Sequence, residues 1–258
     1  MAPRQRTFTT PPTEDDSAES TTLLADQSKG IRRKAKLLNQ TEADIARDWH
    51  DYFNLVALVF IIGTTAINYD ISLLNLKMSW TGNHFWLNWA TTLVYFMVDL
   101  VWVAMVPICV KSPGVIIKHH LLAMVYLTAP IYWPEYRWFM GSILSVEVNT
   151  WFLIMRRVVF KTSSPVPPAV AQGVSAMFYL TWIWIRCVIY PGVLVTFFQM
   201  AAERIQETGV YFHWPMMFIP AHAALCALNL KWTYDLFEPI VKRWLGIGPK
   251  PMVVQNGL

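Results

Sequence analysis

The sequence predicts an all-α membrane protein: a polytopic transmembrane helical bundle with six membrane-spanning helices, or seven if one long apolar segment is divided. Its 258 residues are 55% hydrophobic and only 15% charged, whereas a soluble domain carries about a quarter charged residues. Six long apolar segments follow a polar N-terminal tail, and each is near or above the ~20 residues that a helix needs to cross the hydrocarbon. The bilayer is therefore the expected solvent.

Residues 1–48 are predicted to form a disordered cytosolic tail, because they are rich in Ser, Thr, Pro and charge and show no apolar periodicity. Within the tail, Glu19 followed by Leu23 and Leu24 resembles an acidic dileucine signal that would bind a vesicle adaptor. So short a pattern also arises by chance. A basic run at residues 32–36 precedes the first span and is expected to act on topology or on anionic headgroups.

The transmembrane domain is predicted over residues 49–240, with a short cytosolic tail at 241–258. Its spans are predicted at 52–69, 85–109, 114–133, 138–156, 170–200 and 211–234. The fifth span is too long for one straight crossing. Pro191-Gly192 offers a kink within it, or a point at which it divides into two short segments.

Basic residues fall mainly on one side of these spans. The side with both termini carries the basic tail together with Lys111, Lys118, Arg156, Arg157, Lys161, Lys242, Arg243 and Lys250. The other side carries only Lys77, Arg137 and Arg204. Both termini are therefore predicted to be cytosolic. The net charge of +4 belongs mainly to tails and loops, so it gives no sign of nucleic-acid binding.

Ionisable side chains inside the spans are the main functional signal, because they are costly at bilayer depth and usually face a protein interior or wet cavity. Five predicted spans contain such groups: Asp99, His119, His120, Glu147, Arg186 and His222. The economical interpretation is one shared polar cavity, where the carboxylates can pair with Arg186 or with a protonated histidine. His222, alone in the sixth span, is expected to be a helix-contact histidine unless it lines that cavity.

Histidine is well suited to proton transfer near neutral pH, and a nearby carboxylate would orient the ring. His119 or His120 with Glu147 or Asp99 is thus a candidate base and orienter. Adjacent helical residues point about 100° apart, so only one of the two histidines is expected to face the cavity centre, and the sequence does not say which. No metal or bound cofactor is expected, because the histidines lack the i, i+3 or i+4 spacing of a helical metal site.

Motifs in successive spans resemble the TLC domain family, named for the translocating-chain-associated, Lag and CLN proteins and including the ceramide synthases. The resemblance covers most of residues 52–240. It consists of the His119-His120 pair, Glu147 with Trp151, Arg186 with Pro191, and "LNLKW" at 228–232. The order of these elements across the spans makes a chance match a poor explanation.

The resemblance to ceramide synthases implies an N- or O-acyltransferase that uses acyl-coenzyme A as co-substrate, with His119, His120 and Glu147 as catalytic residues. Asp99, Thr150, Trp151, Arg186 and His222 would bind substrate or line the cavity. By ungapped counting, Glu147 and Thr150 replace two aspartates of those enzymes, and Val146 replaces a histidine.

These departures bring the chain closer to the small TLC domain-containing proteins, which are associated with membrane lipid composition, sphingolipid and ceramide balance or cargo handling. The expected function is therefore in lipid metabolism or homeostasis, with acyl transfer to a sphingoid or other lipid acceptor. The alternative is a non-catalytic protein that binds or senses a membrane lipid or handles cargo. The resemblance implies the endoplasmic reticulum, with the Golgi or endolysosomal membranes as the alternative that the dileucine pattern favours.

Overall fold

The computed structural model describes residues 41–70, 75–161 and 166–247. The dileucine pattern, the basic run of the N-terminal tail and the last eleven residues of the C-terminal tail lie outside the described residues. In the described part of the chain, helices account for nearly all regular structure, apart from an isolated bridge between Tyr69 and Trp80. The predicted all-α membrane bundle is confirmed.

Eight α-helices make up the described part of the bundle. α1 covers residues 41–66, and it is followed by α2 (Phe85–Met105), α3 (Pro113–Tyr132), α4 (Arg137–Leu144), α5 (Val146–Val159), α6 (Pro168–Thr181), α7 (Tyr190–Thr208) and α8 (Phe218–Trp244). Short 3₁₀ turns at Pro107–Cys109, Pro134–Tyr136 and Trp214–Met217 lie between them. A helical backbone satisfies its own hydrogen-bonding groups, as a chain in lipid must.

Four helical stretches in the described residues are long and apolar enough to cross a membrane. They are Phe85–Met105, Pro113–Tyr132, Pro134–Val159 and Pro168–Thr208, and they coincide with predicted spans two to five. The predicted first and sixth spans are also largely helical, but they do not reach the same combination of length and apolar composition. α1 already includes residues 41–48, which the sequence assigned to the tail.

The outer surface of the bundle is apolar. Exposed side chains along the helices include Val56, Phe60, Val94, Val101, Leu180, Trp184, Val195 and Phe198. In water such a surface would lead to aggregation, whereas hydrocarbon solvates it without cost. This surface belongs to an integral membrane protein.

An aromatic cluster closes one end of the bundle by joining four helices. Tyr126 of α3, Phe139 of α4, Phe197 of α7 and Phe218 of α8 pack with ring centroids 5.5–6.3 Å apart. Pairs at this distance in tilted or edge-on geometry add to the stability gained from burial. At the other end, Arg157 of α5 pairs with Asp51 of α1 at 2.5 Å.

The fifth predicted span is one uninterrupted helical stretch, in which a π-helical segment at Trp182–Ile189 connects α6 to α7. The whole stretch, Pro168–Thr208, has 41 residues, which corresponds to about 60 Å, or twice the hydrocarbon thickness. Pro191 is the second residue of α7, directly after the π-helical segment, so its missing N–H falls within the continuous helical stretch. At the predicted kink the chain therefore widens into a π-helix and continues.

Candidate functional site

A central cavity of about 490 Å³ lies between α2, α3, α5, α8 and the π-helical segment. Its polar and ionisable lining consists of Tyr95, His119, His120, Glu147, Thr150, Arg186, Tyr190, Asn229 and Asp235. Its lining includes Ile116, near the start of α3, and Asp235, near the end of α8, so the cavity extends toward the end of the bundle where α1 begins. Nine polar side chains from six helical elements thus share one space inside an apolar bundle, as expected for ionisable groups within a membrane protein.

A narrow apolar crevice adjoins the cavity on the side of the aromatic cluster. It has a volume of about 40 Å³ and shares His119, Glu147 and Tyr190 with the cavity. The remaining lining is apolar and includes Leu122, Tyr126, Leu127, Phe139, Met140 and Leu144. The cavity combines a few polar groups with mainly apolar walls, which suits an amphiphile with one headgroup and a hydrocarbon chain, whereas the crevice has room only for the end of such a chain.

His119 is the histidine that lies where the cavity and the crevice meet. Its side chain is half-buried, and its Nδ1 is buried with no hydrogen-bond partner among the described residues. No carboxylate oxygen of the described residues lies within 4.0 Å of the ring nitrogens. This imidazole is therefore free to accept a proton or to contact a ligand.

His120 lies against a carboxylate. Its Nδ1 is 3.4 Å from Oδ2 of Asp99, an ion-pair distance, although this nitrogen makes no hydrogen bond to a described residue. Oδ1 of Asp99 lies 2.7 Å from Nε2 of His50. Asp99 thus bridges two imidazoles from α1 and α3, and all three side chains are buried.

Asn54 and Tyr95 extend this polar cluster toward the cavity. The Asn54 amide donates to the Asp99 carboxylate at 3.4 Å and to the His50 carbonyl at 2.9 Å. The Tyr95 hydroxyl donates to Oδ1 of Asn54 at 2.7 Å. Buried polar groups are tolerated when each has a partner, so this cluster fixes α1, α2 and α3 relative to one another.

Glu147 and Arg186 face the same cavity from α5 and the π-helical segment, and both are buried. They form no direct ion pair, because no carboxylate oxygen of the described residues lies within 4.0 Å of the guanidinium. The Arg186 guanidinium instead donates from Nε to Asn149 at 2.9 Å and from Nη1 to Asn229 at 2.6 Å. Amide oxygens from α5 and α8 therefore set its direction.

Three predicted cavity residues lie elsewhere. Asp99 is behind His120 in the polar cluster, and His222 is fully buried and donates from Nε2 to the Tyr190 carbonyl at 2.9 Å. Trp151 donates its indole N–H to the Leu55 carbonyl of α1 at 3.1 Å. None of the three lines the cavity in the described part of the chain, whereas Thr150 does.

Trp151→Phe is expected to lower the free energy of unfolding by about 0.5–1.5 kcal/mol, because it removes the hydrogen bond to Leu55 while keeping an aromatic ring. Chemical denaturation in detergent measures this change, and lipid binding or turnover should stay the same. Trp184→Phe is the matched control, since Trp184 is 61% exposed on the outer surface. Loss of turnover in folded Trp151→Phe protein would instead place Trp151 in the site.

Sequence reasoning missed His50, Asn54, Asn149 and Asn229. His50 lies two residues before the predicted first span, and the i, i+4 spacing of His50 and Asn54 was the available signal. Asn149 and Asn229 are neutral, so a search for ionisable groups passes over them. The described residues contain no group of three or more His, Cys, Asp or Glu side chains that could hold a metal ion.

Comparison with known families gives one result. The family model described as the TLC domain matches residues 49–238, a range that includes the cavity and the polar cluster. No curated protein and no solved structure matches the chain.

Proposed function

We infer that the chain, which belongs to the TLC domain family, acts in lipid metabolism by holding a lipid in its central cavity and transferring an acyl group to it with His119. The observation that carries this inference is the position of His119, an imidazole with no carboxylate of the described residues within 4.0 Å, where the cavity meets the crevice. A reacting carbonyl beside His119 would have the polar side chains of the cavity on one side and its apolar walls along the hydrocarbon chain.

The proposed reaction joins a lipid acceptor to the acyl group of a thioester such as acyl-coenzyme A. His119 takes the proton from the hydroxyl or amine of the acceptor as the acceptor atom attacks the thioester carbonyl. A new ester or amide bond forms, the carbon–sulfur bond breaks, and the thiolate takes up the proton from the imidazolium. A base placed in this way contributes about 10²–10⁴-fold to the rate.

The direction of the cavity supports a cytosolic donor. The cavity extends toward the end of the bundle where α1 begins and α8 ends, and the distribution of basic residues predicts that this end is cytosolic. We propose that both termini are cytosolic and that the protein is in the endoplasmic reticulum, with later endomembranes as the alternative.

His119→Ala is expected to reduce acyl transfer by about 100-fold or more, because the proton acceptor is lost. The measurement is the release of coenzyme A thiol by purified full-length protein in lipid nanodiscs, with mass spectrometry of the lipid product. His84→Ala is the control, since His84 is an exposed histidine outside the cavity.

Both variants should melt at the temperature of the wild type, so that a loss of rate is not a loss of fold. If folded His119→Ala protein forms product at the wild-type rate, His119 is not the base. If wild-type protein forms no product with any lipid acceptor, the acyl-transfer proposal fails as a whole.

Non-catalytic lipid binding is the second candidate function. The observation that favours it is that His119 has no carboxylate of the described residues within 4.0 Å to orient the ring, whereas catalytic histidines usually have such an orienter. This alternative predicts that lipid copurifies with the protein and stays chemically unchanged after incubation with acyl-coenzyme A. Formation of any acylated product by pure protein would exclude it.

A further inference from the structure

Arg186 is a buried cation whose described partners are all neutral. Its guanidinium donates to the amide oxygens of Asn149 and Asn229, and it lies 4.5 Å from the Trp182 ring and 5.5 Å from the Trp232 ring. These contacts fix the guanidinium in one orientation without neutralising its charge. Neutral amides and aromatic rings are weak compensation for a charge taken out of water.

The carboxylates near Arg186 do not supply the missing charge by direct contact. Glu147 lies across the cavity with no oxygen within 4.0 Å of the guanidinium. Asp235, also in the cavity lining, pairs with Lys231 at 2.5 Å. A buried cation without a paired anion is destabilising, so the cavity is suited to a ligand that brings one.

The guanidinium has donors left for such a ligand. Arginine carries five N–H groups, and only one from Nε and one from Nη1 are used by described residues. Nη2 makes no hydrogen bond to a described residue. The planar fork matches the geometry of carboxylate and phosphate oxygens and binds them more strongly than neutral acceptors.

We propose that Arg186 binds the oxyanion, a phosphate or a carboxylate, of an acyl-chain lipid whose hydrocarbon lies along the apolar walls of the cavity beside His119. The inference rests on the proposed function in placing a lipid in the cavity, and it goes further by naming the headgroup charge. Asn149 and Asn229 act as positioning residues that aim the guanidinium at the headgroup.

The first experiment compares lipids on delipidated full-length protein in neutral nanodiscs. The probes are phosphatidic acid, oleate, and a diacylglycerol with the same chains as the phosphatidic acid. Wild-type protein is expected to bind at least one of the two anionic lipids about tenfold or more tightly than the diacylglycerol, as a hydrogen bond to a charged group would give. Equal binding of all three probes overturns the proposal.

Coenzyme A without an acyl group identifies the source of the oxyanion. If it displaces bound phosphatidic acid, the phosphate that Arg186 binds belongs to the acyl donor. If it does not, the oxyanion belongs to a lipid headgroup. Either result keeps the site, whereas failure of all anionic probes to bind removes it.

Arg186→Gln is expected to bind the anionic lipids no better than the diacylglycerol. Arg204→Gln is the control, because the Arg204 side chain is exposed outside the cavity. Retention of the preference by folded Arg186→Gln protein overturns the proposal. If Arg186→Gln does not fold, the site is tested by photo-crosslinking a diazirine-labelled phosphatidic acid to the wild-type protein. Labelled peptides from α3 and the π-helical segment would support the site. Labels confined to the outer surface would exclude it.

His119→Ala separates this proposal from the catalytic one. That variant is expected to keep the full preference for anionic lipid, since His119 does not contact the guanidinium. If His119→Ala loses acyl transfer but still prefers anionic lipid, both proposals are supported. If the wild-type protein prefers anionic lipid but transfers no acyl group, only the catalytic proposal is overturned.

Discussion

Asp99→Ala is expected to destabilise the protein by about 1–3 kcal/mol, the cost of leaving buried polar groups without a partner. The side chain is 2% exposed, and its loss leaves His50 and His120 without the carboxylate that bridges them. The Asn54 amide loses an acceptor at the same time. Chemical denaturation of the full-length protein in detergent measures the change.

Two further variants test whether the bridge is the cause. Asp99→Asn keeps one acceptor oxygen in place and is expected to recover part of the lost stability. Asp235→Ala removes an aspartate whose pair with Lys231 is exposed, and such pairs contribute less than about 1 kcal/mol. Similar losses for Asp99→Ala and Asp235→Ala would mean that the buried cluster does not stabilise the bundle.

Gly141→Ala is expected to cost about 1–3 kcal/mol through overpacking. A methyl group at this position in α4 would lie 2.5 Å from two ring atoms of Trp80 and 2.8 Å from the Tyr69 hydroxyl. Those two rings pack against each other at 5.4 Å, so neither can move aside freely. The measured quantity is again the free energy of unfolding.

Gly173→Ala is the matched control for that substitution. Gly173 lies within α6 with nothing within 4 Å of an added methyl group. Alanine is favoured over glycine inside a helix by about 0.5–1 kcal/mol, so this variant should be as stable as the wild type or slightly more so. Equal losses for both glycines would contradict the close approach of Trp80 to α4.

The bundle could be predicted from the sequence because apolar composition alone decides whether a segment belongs in lipid. The bounds of the helices were harder to predict than the bundle itself, because the burial of a polar residue depends on partners that the sequence does not reveal. His50 and Asp51 are polar, and the first span was predicted to begin only after them, at residue 52. Both are nevertheless buried, because Asp99 and Arg157 from other helices satisfy them.

The types of residue at the candidate site could be predicted from the sequence, whereas the contacts that each of these residues makes could be predicted less well. Both adjacent histidines line the cavity, but the rotation of α3 against its neighbours places His120 beside Asp99 and His119 at the crevice. Trp151 was predicted to line the cavity, but a carbonyl of α1 lies within reach of its indole. Such choices depend on helix rotation, for which the sequence offers no direct measure.

The π-helical segment at Trp182–Ile189 also changes the direction in which the side chains after it point around the axis of the long helix. A π-helical turn accommodates one residue more than an α-helical turn, which shifts everything after it by about 100° around the axis. Before the segment, Phe178 is buried and its carbonyl accepts a hydrogen bond from Asn149 of α5; after it, the Phe197 ring packs against Phe139 of α4 and Phe218 of α8. The inward-facing side chains of this long helix therefore pack against one set of helices before the π-helical segment and against another set after it. In a homologue without the extra residue, the side chains after the segment would face the lipid tails.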